Sequence, residues 1–486
     1  MRVCLLTEGT YPFVRGGVST WCQDLIAGLP EIEFIVYALI GSPGVAAEYV
    51  LPPNVSRLIA VPLYGHHGLR DYNRRDLGPQ HKRTSMRALR AEFLPRFEVV
   101  LAQILTGMEH ASPHALAEAL AGLYEYFREH DYDWTMRRRA VWETALGFFE
   151  REPWHARFMS SLEAVELVRA LYRYFIPLGI ELPVADVYHS SASGLCGIGS
   201  IVAKRALGGR TLLTEHGIYL RERVLELARS GIPLSERTIK MNFFSAVARA
   251  TYATSDVIAP VCSYNTRWEE FYGVDPARID VVYNGVDEER FADLERSPER
   301  PTVAAVLRID PLKDVPTMIA SAAVVRASIP DVAFKIWGPA PDAGYFGVCK
   351  KLVAELDLGK TVEFMGPTAD PAAAYADSHI VALSSISEGF PFTIIEAMMS
   401  AKPVVATDVG GVREAVDRFG FVVPPKNPQR FGEAIAHLLA HPAETKALGK
   451  EARAFALERF TQRTFLKNYR ELYAARPRPA LVPVTA

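Results

Sequence analysis

Short apolar runs recur along this chain, each followed by a turn and then by a stretch with apolar positions three and four residues apart. Unbroken apolar runs bounded by turn residues read as strands covered on both faces, and the 3–4 spacing reads as helix. The pattern predicts strands at 3–6, 34–38, 184–189, 211–214, 256–260 and 279–282. A second series falls at 302–307, 333–337, 361–365, 380–384, 403–407 and 420–423. Strands alternating with helices imply parallel sheets that bind ligands at the carboxyl ends of their strands. Residues 66–180 break the rhythm: they lack strand patterns, are rich in Arg, Leu, Ala, Glu and aromatics, and place Leu89, Phe93, Phe97 and Val100 at helical spacing. The turn Asn284-Gly285-Val286-Asp287 and the charged stretch to Arg300 mark the link between two α/β domains. The expected division is 1–286 with a helical insertion at about 66–180, then 287–460, then 461–486 as a last helix and Pro-rich tail. That helix carries Phe465, Tyr469, Leu472 and Tyr473 on one face.

Composition narrows the class. A chain of 486 residues is too long for one core. A net charge of −2 argues against nucleic acid as a partner. No window approaches the roughly eighteen apolar residues a membrane helix needs, and the start, where Thr7 and Glu8 follow Val3 to Leu6, is no signal peptide. Cys4, Cys22, Cys196, Cys262 and Cys349 are scattered without a C-x-x-C, which fits reduced thiols in the cytoplasm rather than disulfides or zinc. The insertion is biased toward base, with eight Lys/Arg against four Asp/Glu from His66 to Val100 and a further cluster at Arg137 to Arg139. Such clusters suit an anionic membrane surface or membrane partners, or are plain solvated faces.

The candidate chemistry concentrates in the second series of strands. Glu388 and Glu396 bracket a loop-to-helix junction, and eight positions span at most roughly 12 Å if helical. Pro391 suits the first helical turn, where free N–H groups and the positive end of the helix dipole favour phosphate. Thr393 adds a hydroxyl or N–H at that end. One carboxylate would meet a sugar and the other a ribose; the alternative is two solvent-facing acids. Arg308 ends a predicted strand and Lys313 follows, where cations grip phosphate, or else pair with Asp310 and Asp314. Gly16-Gly17, after the first strand, lets backbone approach a ligand and permits positive φ. His216 follows a predicted strand, as does His189, which ranks below it. Asp131-Tyr132-Asp133 mimics a metal-binding D-x-D, but its place in the insertion reads as solvated surface. Gly194 to Gly199 reads as close helix–strand packing rather than a P-loop. The dinucleotide fingerprint G-x-G-x-x-G is missing after the first strand, which weakens an oxidoreductase on doubled Rossmann domains.

The run VEFMGPTADPAAAYADSHIVALSSISEGFPFTIIEAMMSAKPVVATDVGGVREAV resembles the C-terminal half of family 4 retaining glycosyltransferases, through its E-x7-E pair, the EAM after Ile395, and the strand and turn ending at Gly410-Gly411. The opening TEGTYPFVRGGVSTWCQDLI, the long insertion and TEHGIYLRER narrow this to the cytosolic glycosyltransferases of bacterial Pel exopolysaccharide synthesis. The resemblance implies an α/β GT-B fold: two Rossmann-like domains facing a cleft, with a terminal helix crossing back to the first. It assigns Arg308 and Lys313 to the leaving diphosphate in place of a metal, Glu396 to the ribose, and Glu388 to the donor sugar. Gly389, Phe390 and Thr393 join the nucleotide-sugar contacts, while His216 and Gly16-Gly17 serve the hexose. It further implies a UDP-sugar donor, a polysaccharide or lipid-linked acceptor, no cofactor or metal, and inner-membrane polysaccharide-synthesis partners, hence a cytoplasmic protein peripheral to the inner membrane. A catalytically silent nucleotide-sugar-binding scaffold is the alternative. Leu307 and Asp314 stand where the family usually has glycine before the Arg and after the Lys, which leaves the local loop shape open.

Overall fold

The strands form two all-parallel six-stranded sheets with the same strand order. The structure, a computed structural model, describes residues 1–64, 83–105, 112–151, 159–292 and 298–475. It divides into two units: Met1–Pro260, Thr266–Val281 and the chain from Glu471 form one, while Val261–Asn265 and Val282–Arg470 form the other.

In the first unit β1 (Arg2–Glu8), β2 (Glu33–Ile40), β3 (Val55–Pro62), β4 (Val187–Ser190), β5 (Arg210–Glu215) and β6 (Val257–Pro260) lie in the order 3-2-1-4-5-6. The central strand pairs Leu5 with both Val36 and His189. β3 is absent from the sequence reading because Ser56 and Arg57 are exposed there and break the apolar run. The strand expected at 279–282 does not form; Ile279 makes only an isolated bridge to Ile258. Val184, expected to open β4, is 79% exposed, and the strand begins at Val187.

The described part of the insertion is helical and shares the core of this unit. Leu89, Phe93, Phe97 and Val100 are fully buried, packed with Tyr126 and Phe127 of helix Pro113–Glu129. Ser160 and Glu163 form a capping box at the start of helix Ser161–Tyr174. The reading of Asp131 and Asp133 as solvated is corrected. Asp131 is buried and caps a helical turn by accepting the Trp134 N–H at 2.8 Å, and Asp133 accepts the Tyr172 hydroxyl. The basic residues are engaged locally: Arg83 pairs with Glu129, Arg139 with Glu143, and Arg138 lies over the Trp134 ring. Arg74, Arg75 and Lys82 lie outside the described residues, as does the Pro-rich tail from 476. No helix among the described residues is long and apolar enough to cross a membrane.

In the second unit β7 (Thr302–Val306), β8 (Ala333–Trp337), β9 (Val362–Gly366), β10 (Ile380–Leu383), β11 (Val404–Thr407) and β12 (Gly420–Val423) lie in the order 12-11-10-7-8-9. Read from the other edge this is again 3-2-1-4-5-6, the doubly wound order whose reversal between the first and fourth strands opens a ligand crevice. That reversal falls between β1 and β4 in the first unit and between β7 and β10 in the second. Helix Gln462–Ala474 ends the described chain, with Phe465, Tyr469 and Tyr473 buried and Leu472 only partly so.

Candidate functional site

The reversal point of the second unit gathers four of the predicted residues. β7 runs into buried Leu307, whose N–H bonds the Trp337 carbonyl at 2.9 Å. Gly338 sits beneath this exit at φ 143°, and a Cβ there would lie 1.7 Å from the Leu307 carbonyl oxygen. Only glycine lets the two strand ends approach so closely. Arg308 emerges half exposed, its Nε donating to Asp310 Oδ2 at 2.5 Å. Asp310 is buried and also accepts the Leu312 N–H, so it fixes the guanidinium from below. Among the described residues the terminal amino groups of Arg308 have no partner, which leaves a planar fork for an anion.

Lys313 ends the next turn, and Asp314 after it occupies the left-handed region at φ 44°, ψ 50°. Asp tolerates that region better than most residues. Here it is further held: its carboxylate accepts the Thr317 hydroxyl at 2.7 Å, and the Ser384 hydroxyl lies 2.9 and 3.1 Å from the Lys313 and Asp314 carbonyls. The loop thus keeps the conformation that glycine would supply.

Lys313 Nζ reaches Glu388 Oε1 at 2.6 Å, and the Ser385 hydroxyl donates to the same oxygen at 2.5 Å. The loop carrying Glu388 rests on the glycine pair after β11. A Cβ on Gly410, at φ 56°, would lie 1.9 Å from the Glu388 carbonyl oxygen, and the Gly411 N–H bonds the Gly389 carbonyl at 2.8 Å. Helix Phe392–Met399 follows, with Pro391 just outside it at φ −73°, ψ 127°, one residue earlier than expected. The hydroxyl of Thr393 donates to the Val306 carbonyl at 2.8 Å, so its proton is committed within the chain rather than to a phosphate. The Phe390 ring is buried against Tyr283 and Phe460, which makes this side chain core rather than ligand contact. Glu396 accepts the Tyr375 hydroxyl at 2.8 Å, and burial pushes its carboxyl above the usual range despite that bond. The two glutamates therefore have different partners, a cation for one and a phenol for the other.

In the first unit, Gly16 precedes helix Gly17–Gly28 in extended backbone, so its glycine is not required for positive φ; Gly9, at φ 61°, supplies the turn instead. A Cβ on Gly16 would meet nothing within 4 Å among the described residues. Neither backbone nor packing within the chain calls for this glycine, which leaves room for a ligand as its reason. His216 stacks edge-on against Trp21 at 4.7 Å, and among the described residues its buried Nε2 has no hydrogen-bond partner. Burial pushes it down to about 3, so it is a neutral imidazole. A buried orphan nitrogen is the atom a hydroxyl would satisfy. His189 is structural: its ring nitrogens bond the Tyr473 and Thr214 hydroxyls at 2.7 and 2.8 Å. The Gly194–Gly199 segment packs closely, a Cβ on Gly197 falling 2.3 Å from Thr251 Oγ1.

Four residues escaped the sequence reading. Glu8, the last residue of β1, accepts the Cys196 N–H and the Tyr219 hydroxyl at 3.2 and 3.3 Å. Its place at a strand's carboxyl end was the available signal. Glu215 accepts Tyr252 and Ser193 hydroxyls and faces Glu269; burial pushes both carboxyls up. Tyr375 and Glu269 carry no local signal.

Residues 1–277 match the family described as "Domain of unknown function (DUF3492)", and residues 286–455 match "Glycosyl transferases group 1". The chain is similar to D-inositol 3-phosphate glycosyltransferases: 33% identical over 262 residues to that of Segniliparus rotundus, covering 47% of this chain and 58% of that protein. With that of Mycobacterium bovis it shares 33% over 220 residues, 41% of this chain and 45% of that protein. The chain thus spans about half the length of the curated relatives it matches. Among solved structures it resembles Anabaena HepE in complex with UDP, with a TM-score of 0.59 at 16% identity over 97% of this chain and 99% of that one. Sucrose-phosphate synthase from Thermosynechococcus elongatus gives 0.61 at 18% identity over 98% and 100%. The fold is GT-B, each unit Rossmann-like. The chain belongs to the DUF3492 family, and its residues 286–455 are similar to the group 1 glycosyl transferases.

Proposed function

We propose that the chain is a retaining glycosyltransferase that moves a hexose or N-acetylhexosamine from a UDP-sugar to a growing polysaccharide or lipid-linked acceptor, as PelF, which it resembles, does in exopolysaccharide synthesis. The observation that carries this reading is the ion pair of Lys313 and Glu388 at the reversal point of the second sheet, beside the open fork of Arg308. A diphosphate there draws Lys313 and Arg308 onto its oxygens, and the N-terminal N–H groups of helix Phe392–Met399 add to the same field. Glu388, released from the lysine, accepts a hydroxyl of the donor sugar. Glu396 accepts from the ribose.

On this reading the bond from the sugar C1 to phosphate breaks while the acceptor oxygen bonds C1 from the same face, and the acceptor proton passes to the departing phosphate. Arg308 and Lys313 hold the charge that develops, so positioning and electrostatics supply most of the catalysis without a metal. In the first unit the His216 Nε2 and the open backbone at Gly16-Gly17 are assigned to sugar contacts. A structural neighbour solved with UDP-glucose agrees with the donor class. The working place is the cytoplasmic face of the inner membrane, with its polysaccharide-synthesis proteins as partners.

A thermal-shift series with UDP, GDP, ADP, NAD and several UDP-sugars tests the reading, because a ligand bound only to the folded state raises stability by mass action. UDP and one UDP-sugar should stabilise, and turnover of that sugar should persist in excess EDTA. Stabilisation by NAD alone would return the oxidoreductase. Binding of UDP-sugar without turnover on any acceptor would return the silent scaffold, and turnover restored after EDTA only by magnesium or manganese would return a metal-dependent enzyme.

A further inference from the structure

Apart from the residues assigned above, three ligand-bearing side chains converge on the surface where helix Pro428–Ala440 meets helix Pro442–Arg459. His437 lies in the last turn of the first helix, His441 joins the two, and Glu444 sits in the first turn of the second. One ligand atom from each lies within 4.8 Å of the others, and all three residues are exposed. We propose that His437, His441 and Glu444 form a binding site for a divalent transition ion of the zinc class.

The geometry is already close to a coordination polyhedron. His437 Nε2 and Glu444 Oε1 are 3.3 Å apart. Bonds of about 2.0–2.2 Å to a tetrahedral zinc place neighbouring ligand atoms roughly 3.5 Å from one another. His441 Nδ1 lies 2.7 Å from the His437 carbonyl oxygen. A carbonyl only accepts, so Nδ1 carries the proton and Nε2 carries the lone pair, the arrangement that orients a metal-ligating imidazole. The His437 ring is steadied edge-on by Phe421 at 5.7 Å and packs on the His441 ring at 4.5 Å. Two imidazoles and one carboxylate favour zinc, nickel or copper over magnesium or calcium, which prefer oxygen. The five cysteines are all buried, so thiols do not compete for the ion.

A bound ion would clamp the two helices across His441. The second of them approaches the donor-side helix closely: a Cβ on Gly449 would lie 2.1 Å from the Ala401 carbonyl, just beyond helix Phe392–Met399. Without an ion the same residues reduce to a histidine at one helix end and an acid at the next helix start, each matched to its dipole.

Zinc titration by calorimetry, on full-length protein free of any added histidine tag, decides between these. The wild type should bind one equivalent and gain melting temperature, an effect reversed by EDTA and not reproduced by magnesium. His437→Ala/His441→Ala should weaken that affinity by more than the 10–100-fold that loss of a ligand's supporting partner typically costs. Its melting temperature without metal and its UDP affinity should stay unchanged. Glu444→Gln should weaken zinc less than the double variant. Absence of zinc binding by the wild type, equal binding by the double variant, or an equal response to magnesium would each overturn the site.

Discussion

The two sheets share one strand order, and each reversal point holds a carboxylate, yet the two carboxylates are in different states. Glu8 in the first unit is hydrogen-bonded by neutral donors, a backbone N–H and a phenol, and burial pushes its carboxyl up against the opposing charge of Arg223. Glu388 in the second is met by the ammonium of Lys313. Neutral donors in direct contact hold Glu8 in place, whereas the direct ion pair at Glu388 holds a cation in readiness and can exchange its partner for phosphate. Identical topology thus positions a group without deciding its chemistry, which comes from one lysine on one loop. The glycines tell the same story: Gly410 is demanded by contact inside the chain, and Gly16 is not.

That contrast can be broken most forcefully at the glycines. Gly410→Ala must bend a left-handed backbone and push against the Glu388 carbonyl, so it should cost about 3 kcal/mol, the upper end for overpacking. Gly16→Ala should cost less than about 1 kcal/mol, the scale of a changed helix cap, while lowering turnover. Urea unfolding of both variants measures the difference; equal losses would mean the Gly16 loop is packed after all.

The next largest effect concerns the cations. Arg308→Ala and Lys313→Ala should each weaken UDP binding by roughly 1.5–3 kcal/mol, the range for hydrogen bonds to charged groups. Glu8→Gln in the first unit should leave UDP affinity unchanged. Calorimetry showing unaltered affinity in both cation variants would remove them from the site.

A finer split separates the two glutamates of the second unit. Glu396→Gln should weaken UDP itself by about 1 kcal/mol if, as proposed, it accepts from the ribose hydroxyls. Glu388→Gln should spare UDP and lower turnover. Equal losses of UDP affinity would contradict the assignment of roles.

The smallest effect is a dependence on pH confined to the first unit. Burial raises the folded-state pKa of both Glu215 and Glu269, so the fold prefers them protonated. Such groups stabilise fully below the unfolded carboxylate range, and the contribution is lost as pH rises through the raised values. The melting temperature of the wild type should therefore fall more between about pH 6 and about pH 9 than that of Glu269→Gln. Parallel profiles would mean the two carboxyls do not share a proton.

Much of this was legible in the sequence, for a physical reason. Strands covered on both faces must be apolar throughout, so β7, β10 and β11 stand out as runs, whereas edge strand β3 exposes Ser56 and Arg57 and hides. The residues on loops after strands, Arg308, Lys313 and Glu388, were readable because the topology fixes where loops point. Of their supports, Asp310 was legible as an ion-pair partner of Arg308, and the structure shows that pair; Ser385, Tyr375 and Gly338 act through contacts made only after folding. The departure at Asp314 left the loop open on sequence grounds, and its left-handed backbone with the Thr317 bond closes it.

Gly410 also bears on how this chain can change over time. Its missing side chain is what lets the Glu388 carbonyl lie where it does, so the two positions, far apart in the sequence, form a single heritable unit. A lineage that replaced this glycine would have to rebuild the glutamate loop in the same step. Among relatives, then, a side chain at this position should mark those in which the catalytic repertoire has drifted or been lost, even where both glutamates are still spelled out.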